Sequence, residues 1–213
     1  MPLYTTDALI LRTYKLGESD RIVVFLTRDR GKKRGVAKNA RQSRRRFGGA
    51  LEPMTYGRVG YVERERRELV ALNFVEPARS PLSALDGEAL GYVGYFAELI
   101  DEWAQDADPN EALYRLGASM VDAIAVGVPI EPLARYFEFW LLRLQGVYET
   151  DARLSSAARD FLTAAREVSP LALGRLAVSG EALRELEAAH RALITMHLEK
   201  DLKSARVLRE TRR

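Results

Sequence analysis

The chain has 213 residues, 47% of them hydrophobic and 30% charged, with a mean hydropathy of −0.22. That balance reads as a soluble globular chain and excludes wholesale disorder and a membrane-spanning helix, and residues 1–7 lack the pattern of a signal peptide. Cysteine is absent and histidine occurs twice, which excludes disulfides, thiolate chemistry and cysteine zinc sites and fits a cytoplasmic location.

Residues 1–80 read as strands. Ala8-Leu9-Ile10-Leu11 is apolar, with a turn at Gly17. Arg21 to Thr27 is a β-branched run that ends in the turn signal Arg28-Asp29-Arg30-Gly31. Gly35–Lys38 is a short third strand, Tyr56–Val62 a fourth with bends at Gly57 and Gly60, and Leu69–Val75 a fifth. Five short strands with glycine bends predict a small closed barrel, most simply an OB-fold. Pro81 marks a switch to helical periodicity, with Ser83 as a candidate N-cap. Ala89, Tyr92, Val93, Phe96, Leu99, Ile100 and Trp103 recur at three- and four-residue steps. A break at Asp108-Pro109-Asn110 precedes a second helix through Ile124. Leu133 to Leu144 forms the cleanest helix, closed by Gly146, and further helices are expected at about 155–167 and 180–199. The expected fold is therefore α+β and multi-domain: a five-stranded barrel over 1–80 and an all-α domain over 81–213.

Charge divides the chain in the same way. Residues 1–80 hold 18 Lys/Arg against 9 Asp/Glu, and residues 81–213 hold 15 against 21. Between Arg28 and Arg46 lie ten basic residues and one acid, Asp29. Such a field is the footprint of a nucleic-acid surface, the competing reading being a solvated loop. Lys32, Lys33, Arg34, Lys38, Arg41, Arg44, Arg45 and Arg46 are the candidate phosphate contacts. Aromatics lie beside other cations: Tyr14 near Arg12, Tyr56 near Arg58 and Tyr61 near Arg64. Tyr56 and Arg58 share a strand face, so Arg12, Tyr56 and Arg58 join the candidate set; packing accounts for each tyrosine equally well.

Enzyme motifs are missing: no phosphate-binding Gly-rich loop, dinucleotide fingerprint or nucleophile elbow is present. Glu63, Glu65 and Glu68 interleave with arginines at an expected hairpin tip and read as a solvated turn rather than a nuclease metal site. His190 and His197, two helical turns apart, read as core or surface histidines rather than ligands. No catalytic residue, metal or cofactor is assigned.

The segment Val36-Ala37-Lys38-Asn39-Ala40-Arg41-Gln42-Ser43-Arg44-Arg45-Arg46, followed by Gly49-Ala50-Leu51-Glu52-Pro53, resembles the bacterial DNA repair protein RecO family. So do Ala8–Leu11, Gly17-Glu18-Ser19-Asp20, Val24–Thr27 with Gly31, the helix around Arg135–Leu142 ending at Gly146, and Leu202-Lys203-Ser204-Ala205-Arg206. The resemblance implies an OB-fold with a helical domain. It also implies a non-catalytic mediator in the bacterial nucleoid that binds single- and double-stranded DNA and anneals complementary strands. Such a mediator works with RecR, engages the C-terminal tail of single-strand binding protein (SSB), and helps load RecA. On this view Arg135 would take the acidic SSB tail; pairing with Glu131 or Glu138 is the competing role. Two departures stand out. Asn39 occupies a usual glycine position, where a positive φ is still open to asparagine. The four-cysteine zinc element that many relatives carry is shortened or lost between Gly146 and Ser156, so no zinc is expected and RecR binding through it is in question. The alternative to a DNA mediator is an RNA-binding OB-fold protein of translation or ribosome assembly.

Overall fold

The computed structural model describes residues 2–63, 68–84, 87–149 and 153–211. Five strands form the first half: β1 (Leu3–Leu16), β2 (Asp20–Thr27), β3 (Lys32–Ala37), β4 (Tyr56–Val62) and β5 (Val70–Arg79). They close into a barrel in the order β1-β2-β3-β5-β4, with β4 pairing back onto β1. Every pairing is antiparallel except β3 with β5, which run parallel from Gly35 to Ala37. This is the expected five-stranded barrel with helices following it. β4 has the expected bounds. β1 is longer than its apolar run because residues outside that run still pair, Leu3–Asp7 with β4 and Arg12–Leu16 with β2.

Strands β1 and β2 are covered on both sides. Ala8, Ile10, Val23 and Phe25 point into the barrel with Val59, Tyr61, Leu72 and Val75. Leu9, Leu11, Val24 and Leu26, from the same strands, belong to the helical core instead. That explains why these strands read as unbroken apolar runs: a strand buried on both faces has no polar side to alternate with.

The helices are α1 (Arg44–Phe47), inside the basic loop, then α2 (Gly87–Trp103), α3 (Glu111–Ala125), α4 (Ile130–Leu144), α5 (Ser156–Glu167), α6 (Gly180–Leu198) and α7 (Lys203–Thr211). Asn110, Ser155 and Ser179 cap α3, α5 and α6, each accepting a backbone N–H three residues on. Gly146 takes φ +70° just after α4, the left-handed position foreseen for it. Ser83 lies in a 3₁₀ turn, Pro81–Ala84, and α2 begins only at Gly87. The helix therefore starts after the chain has turned off the barrel, later than the expected cap. α2 and α3 lie against β1. Gly117 of α3 permits this approach: a Cβ there would stand 2.6 Å from Leu9 Cδ2 and 2.9 Å from Ile100 Cδ1.

Candidate nucleic-acid interface

The basic loop after β3 is a built structure. Asn39 adopts φ +53°, so asparagine serves where glycine is usual. Its backbone N–H donates to Asp20 Oδ1 at 2.8 Å, and Ser19 Oγ donates to its Oδ1 at 3.1 Å. Arg41 donates to the Glu18 carbonyl at 3.1 Å from its guanidinium and to the Ser19 carbonyl at 3.2 Å from its backbone. The β1–β2 turn thus holds the loop from one side. On the other, α1 buries Phe47, and Ala50 follows it into the barrel core. Arg46 folds back, donating to the Lys38 carbonyl at 2.7 Å and Ser43 Oγ at 2.9 Å while covering the Phe47 ring. It braces the loop. Lys38, Arg41, Arg44 and Arg45 remain exposed, and among the described residues none has a carboxylate partner. Arg34, on β3, is in the same condition.

Beside the loop runs a cross-strand row on the barrel's outer face. Tyr14 pairs with Ile22, and Ile22 with Val36. The helices cover the neighbouring positions Leu11 and Val24 but leave this row partly open, with Tyr14 44% exposed. An aromatic ring beside two β-branched residues, flanked by Arg34 and Lys38, is suited to stacking a base while cations hold its phosphates. Lys15 stands directly opposite Arg21 at the end of the same hairpin. Like charges facing each other in a sheet are destabilising, and a polyanion relieves them. Sequence reasoning missed both residues, because only the hairpin register makes them neighbours.

The other candidates are engaged by carboxylates. Arg12 is clamped by α2, with Nε 2.7 Å from Asp101 and Nη2 3.4 Å from Glu102 and 3.7 Å from Glu98. Burial opposes its charge, but Asp101, with help from Tyr14 and Glu98, holds its pKa above the ordinary value. Lys32 reaches the same helix, donating to the Asp101 carbonyl at 2.7 Å and lying 3.2 Å from its carboxylate. Tyr56 donates its hydroxyl to Asp122 of α3 at 2.8 Å, and burial together with that carboxylate raises the phenol's pKa. These three are joints between barrel and helices. Lys33 pairs with Glu63 at 2.8 Å, and Arg58 with Glu76 at 3.0 Å on the open surface. Of the acidic trio, Glu65 lies outside the described residues, and no metal-binding cluster of acidic or histidine side chains occurs among the described ones.

Arg135 is buried in α4, its Nη2 2.9 Å from Glu138 and its Nη1 3.6 Å from Glu187. Glu138 also accepts from the Tyr95 hydroxyl at 2.8 Å and lies 3.0 Å from His190 Nδ1. His190 is therefore a hydrogen-bonded core histidine, and His197 is exposed.

Residues 1–81 match the family model described as the N-terminal part of recombination protein O, and residues 84–150 match its C-terminal part. The DNA repair protein RecO of Koribacter versatilis is 44% identical over 145 residues, which cover 68% of this chain and 59% of that protein. The protein of that description from Anaeromyxobacter sp. (strain K) is 40% identical over 153 residues, 71% and 59% of the two chains. That of Geobacter metallireducens is 38% identical over 142 residues, 66% and 57%. The matches span under two thirds of each relative's length.

Proposed function

The chain belongs to the RecO family, and on that premise we propose that it is a DNA repair and recombination mediator that binds single and double strands and anneals them. The observation that carries this reading is the loop of Lys38, Arg41, Arg44 and Arg45, cations exposed without carboxylate partners among the described residues, beside the Tyr14–Ile22–Val36 row. Annealing requires two polyanions to approach each other. A fixed cationic surface that displaces counterions from both strands lowers that barrier without a covalent step. Neither nucleotide nor metal enters the mechanism.

The loop's anchoring matters to it. Bonds from Asn39 and Arg41 to residues 18–20 hold the loop's backbone in place before DNA arrives, so little backbone ordering cost falls on binding. Bases stack on the open sheet row while phosphates follow the loop. RecR, SSB and RecA are the proposed partners. For the SSB tail, Arg135 offers Nη1, which makes no hydrogen bond among the described residues and faces the partly exposed Glu187. A tail carboxylate would take Glu187's place there.

The test is annealing of complementary oligonucleotides coated with SSB, in the absence of ATP and with EDTA present. Annealing is expected under both conditions. Its loss on chelation, with recovery on adding zinc, would refute the metal-free mechanism. Parallel titrations with RNA and DNA of one sequence at one salt concentration should favour DNA.

A further inference from the structure

The site proposed for the acidic tail has a cover. Arg135 is 3% exposed, so a carboxylate arriving from solvent reaches it only if a neighbouring element moves. Arg135 lines a cavity of about 30 Å³, room for about one water molecule. Among its other walls are Tyr92 of α2, Glu138 of α4, Glu187 of α6, and Ala205 and Leu208 of α7. Leu208 is seated against Gly91 of α2: a Cβ at Gly91 would stand 2.6 Å from Leu208 Cδ2 and 3.5 Å from its Cγ.

Of these walls, α7 is the one suited to move. α2, α4 and α6 have 17, 15 and 19 residues and send several side chains each into the helical core. α7 has nine residues, a length that does not hold a helix in water by itself. It packs on α2 and buries Leu208, while Val207 beside it stays 49% exposed. Its first turn hangs on one side chain, Glu98, which accepts from the backbone of Lys203 at 3.3 Å, from that of Ser204 at 2.7 Å, and from the Ser204 hydroxyl. The Lys203 and Arg206 side chains are exposed, and among the described residues neither has a carboxylate partner. A short, peripheral, mostly polar helix docked in this way belongs to the low-stability end of a fold.

We propose that α7 is a lid over Arg135, closed in the free protein and displaced when an acidic tail with an apolar tip binds. The inference rests on the reading of Arg135 as the tail's contact. The opened seat offers a guanidinium fork to a carboxylate and, at Gly91, a notch that an apolar side chain already fills, which is the chemistry of such a tail. Tail affinity is then the intrinsic affinity scaled by the fraction of lids that are open. The chain has no cysteine, so Gly91→Cys with Leu208→Cys creates its one disulfide, at the contact of lid and α2. Binding of a fluorescein-labelled Asp-Asp-Asp-Leu-Phe peptide is followed by anisotropy. Oxidising the cysteine pair should weaken binding by at least about tenfold, and dithiothreitol should restore it. Leu208→Ser should bind the peptide more tightly than the unaltered chain does. Saturating peptide should speed hydrogen exchange at residues 205–208 of the unaltered chain and leave α4 unchanged. Equal affinity of the oxidised and reduced pair, or unaltered exchange in α7, with Arg135→Lys still weakening binding, would overturn the lid and leave the tail reading standing. Binding insensitive to Arg135→Lys, with circular dichroism unchanged, or no binding in any form, would overturn that reading and the lid with it.

Discussion

At the scale of single residues, equal charge hides unequal work. Arg12 and Arg44 are both arginines of the basic half, yet Arg12 is committed to three carboxylates of α2 and Arg44 to none among the described residues. Replacing Lys38, Arg44 and Arg45 by alanine should lower the slope of log affinity for single-stranded DNA against log salt by about 2 units, read by fluorescence anisotropy. Arg12→Ala should leave that slope unchanged and reduce stability, because Glu98, Asp101 and Glu102 lose a shared counter-ion. Glu138 makes the sharper stability prediction. It is 2% exposed and serves Arg135, Tyr95 and His190. Glu138→Ala leaves the buried guanidinium with only the more distant Glu187, 3.6 Å away, and should cost about 3–5 kcal/mol in urea denaturation; a loss below about 1 kcal/mol would show that water enters the cluster.

At the scale of elements, one close contact binds barrel to helices and another docks the last helix. Gly31 has φ +68°, and a Cβ there would fall 2.3 Å from Asp108 N and 2.5 Å from Asp108 O. Both are backbone atoms and cannot swing aside. Gly31→Ala should therefore cost about 1–3 kcal/mol and loosen the segment after α2, seen as faster hydrogen exchange at Ala107, whose N–H donates to the Lys32 carbonyl. The second feature is Glu98 of α2, which accepts from the backbone of Lys203 and Ser204 and from the Ser204 hydroxyl at the start of α7. Burial alone would raise its pKa, but those donors and Arg12 outweigh burial and hold it below the ordinary 4.5. A depressed carboxylate stabilises the fold above its unfolded value and loses that contribution as the pH falls through the folded one. Docking of α7 should thus be intact at neutral pH and weaken only below about 4.5, and Ser204→Ala should move that acid transition upward in pH. The elements themselves were largely legible. β4 could be bounded from its sequence, and α5 and α6 to within a residue or so, because caps and apolar period coincide there. The four-residue α1 was not, since a single turn has no period. Nor were the clamps on Arg12, Lys32 and Tyr56, whose partners stand dozens of residues away in the chain.

At the scale of the whole molecule, the shift in composition at residue 80 and the division of the packing fall in different places. Composition divides the chain near Pro81, but the helical core takes Leu9, Leu11, Val24, Leu26 and Met54 from the barrel. Unfolding should be cooperative across both parts. Trp103 and Trp140 lie on helices, so tryptophan fluorescence and strand-sensitive infrared absorption should show coincident urea midpoints. A fragment ending at residue 80 would expose those apolar side chains and should aggregate or remain unfolded. A well-folded monomeric fragment would contradict the shared core.

The doubly buried strands also limit how such a protein can be shuffled. A chimaera joined at residue 80 to the helices of a relative cuts the chain at its change of composition yet sets this chain's Leu9 against whatever the relative holds in place of Gly117 and Ile100. Grafts that carry β1 and β2 together with α2 and α3 keep that match, so the heritable unit of this fold is the seam and its two sides rather than either half alone.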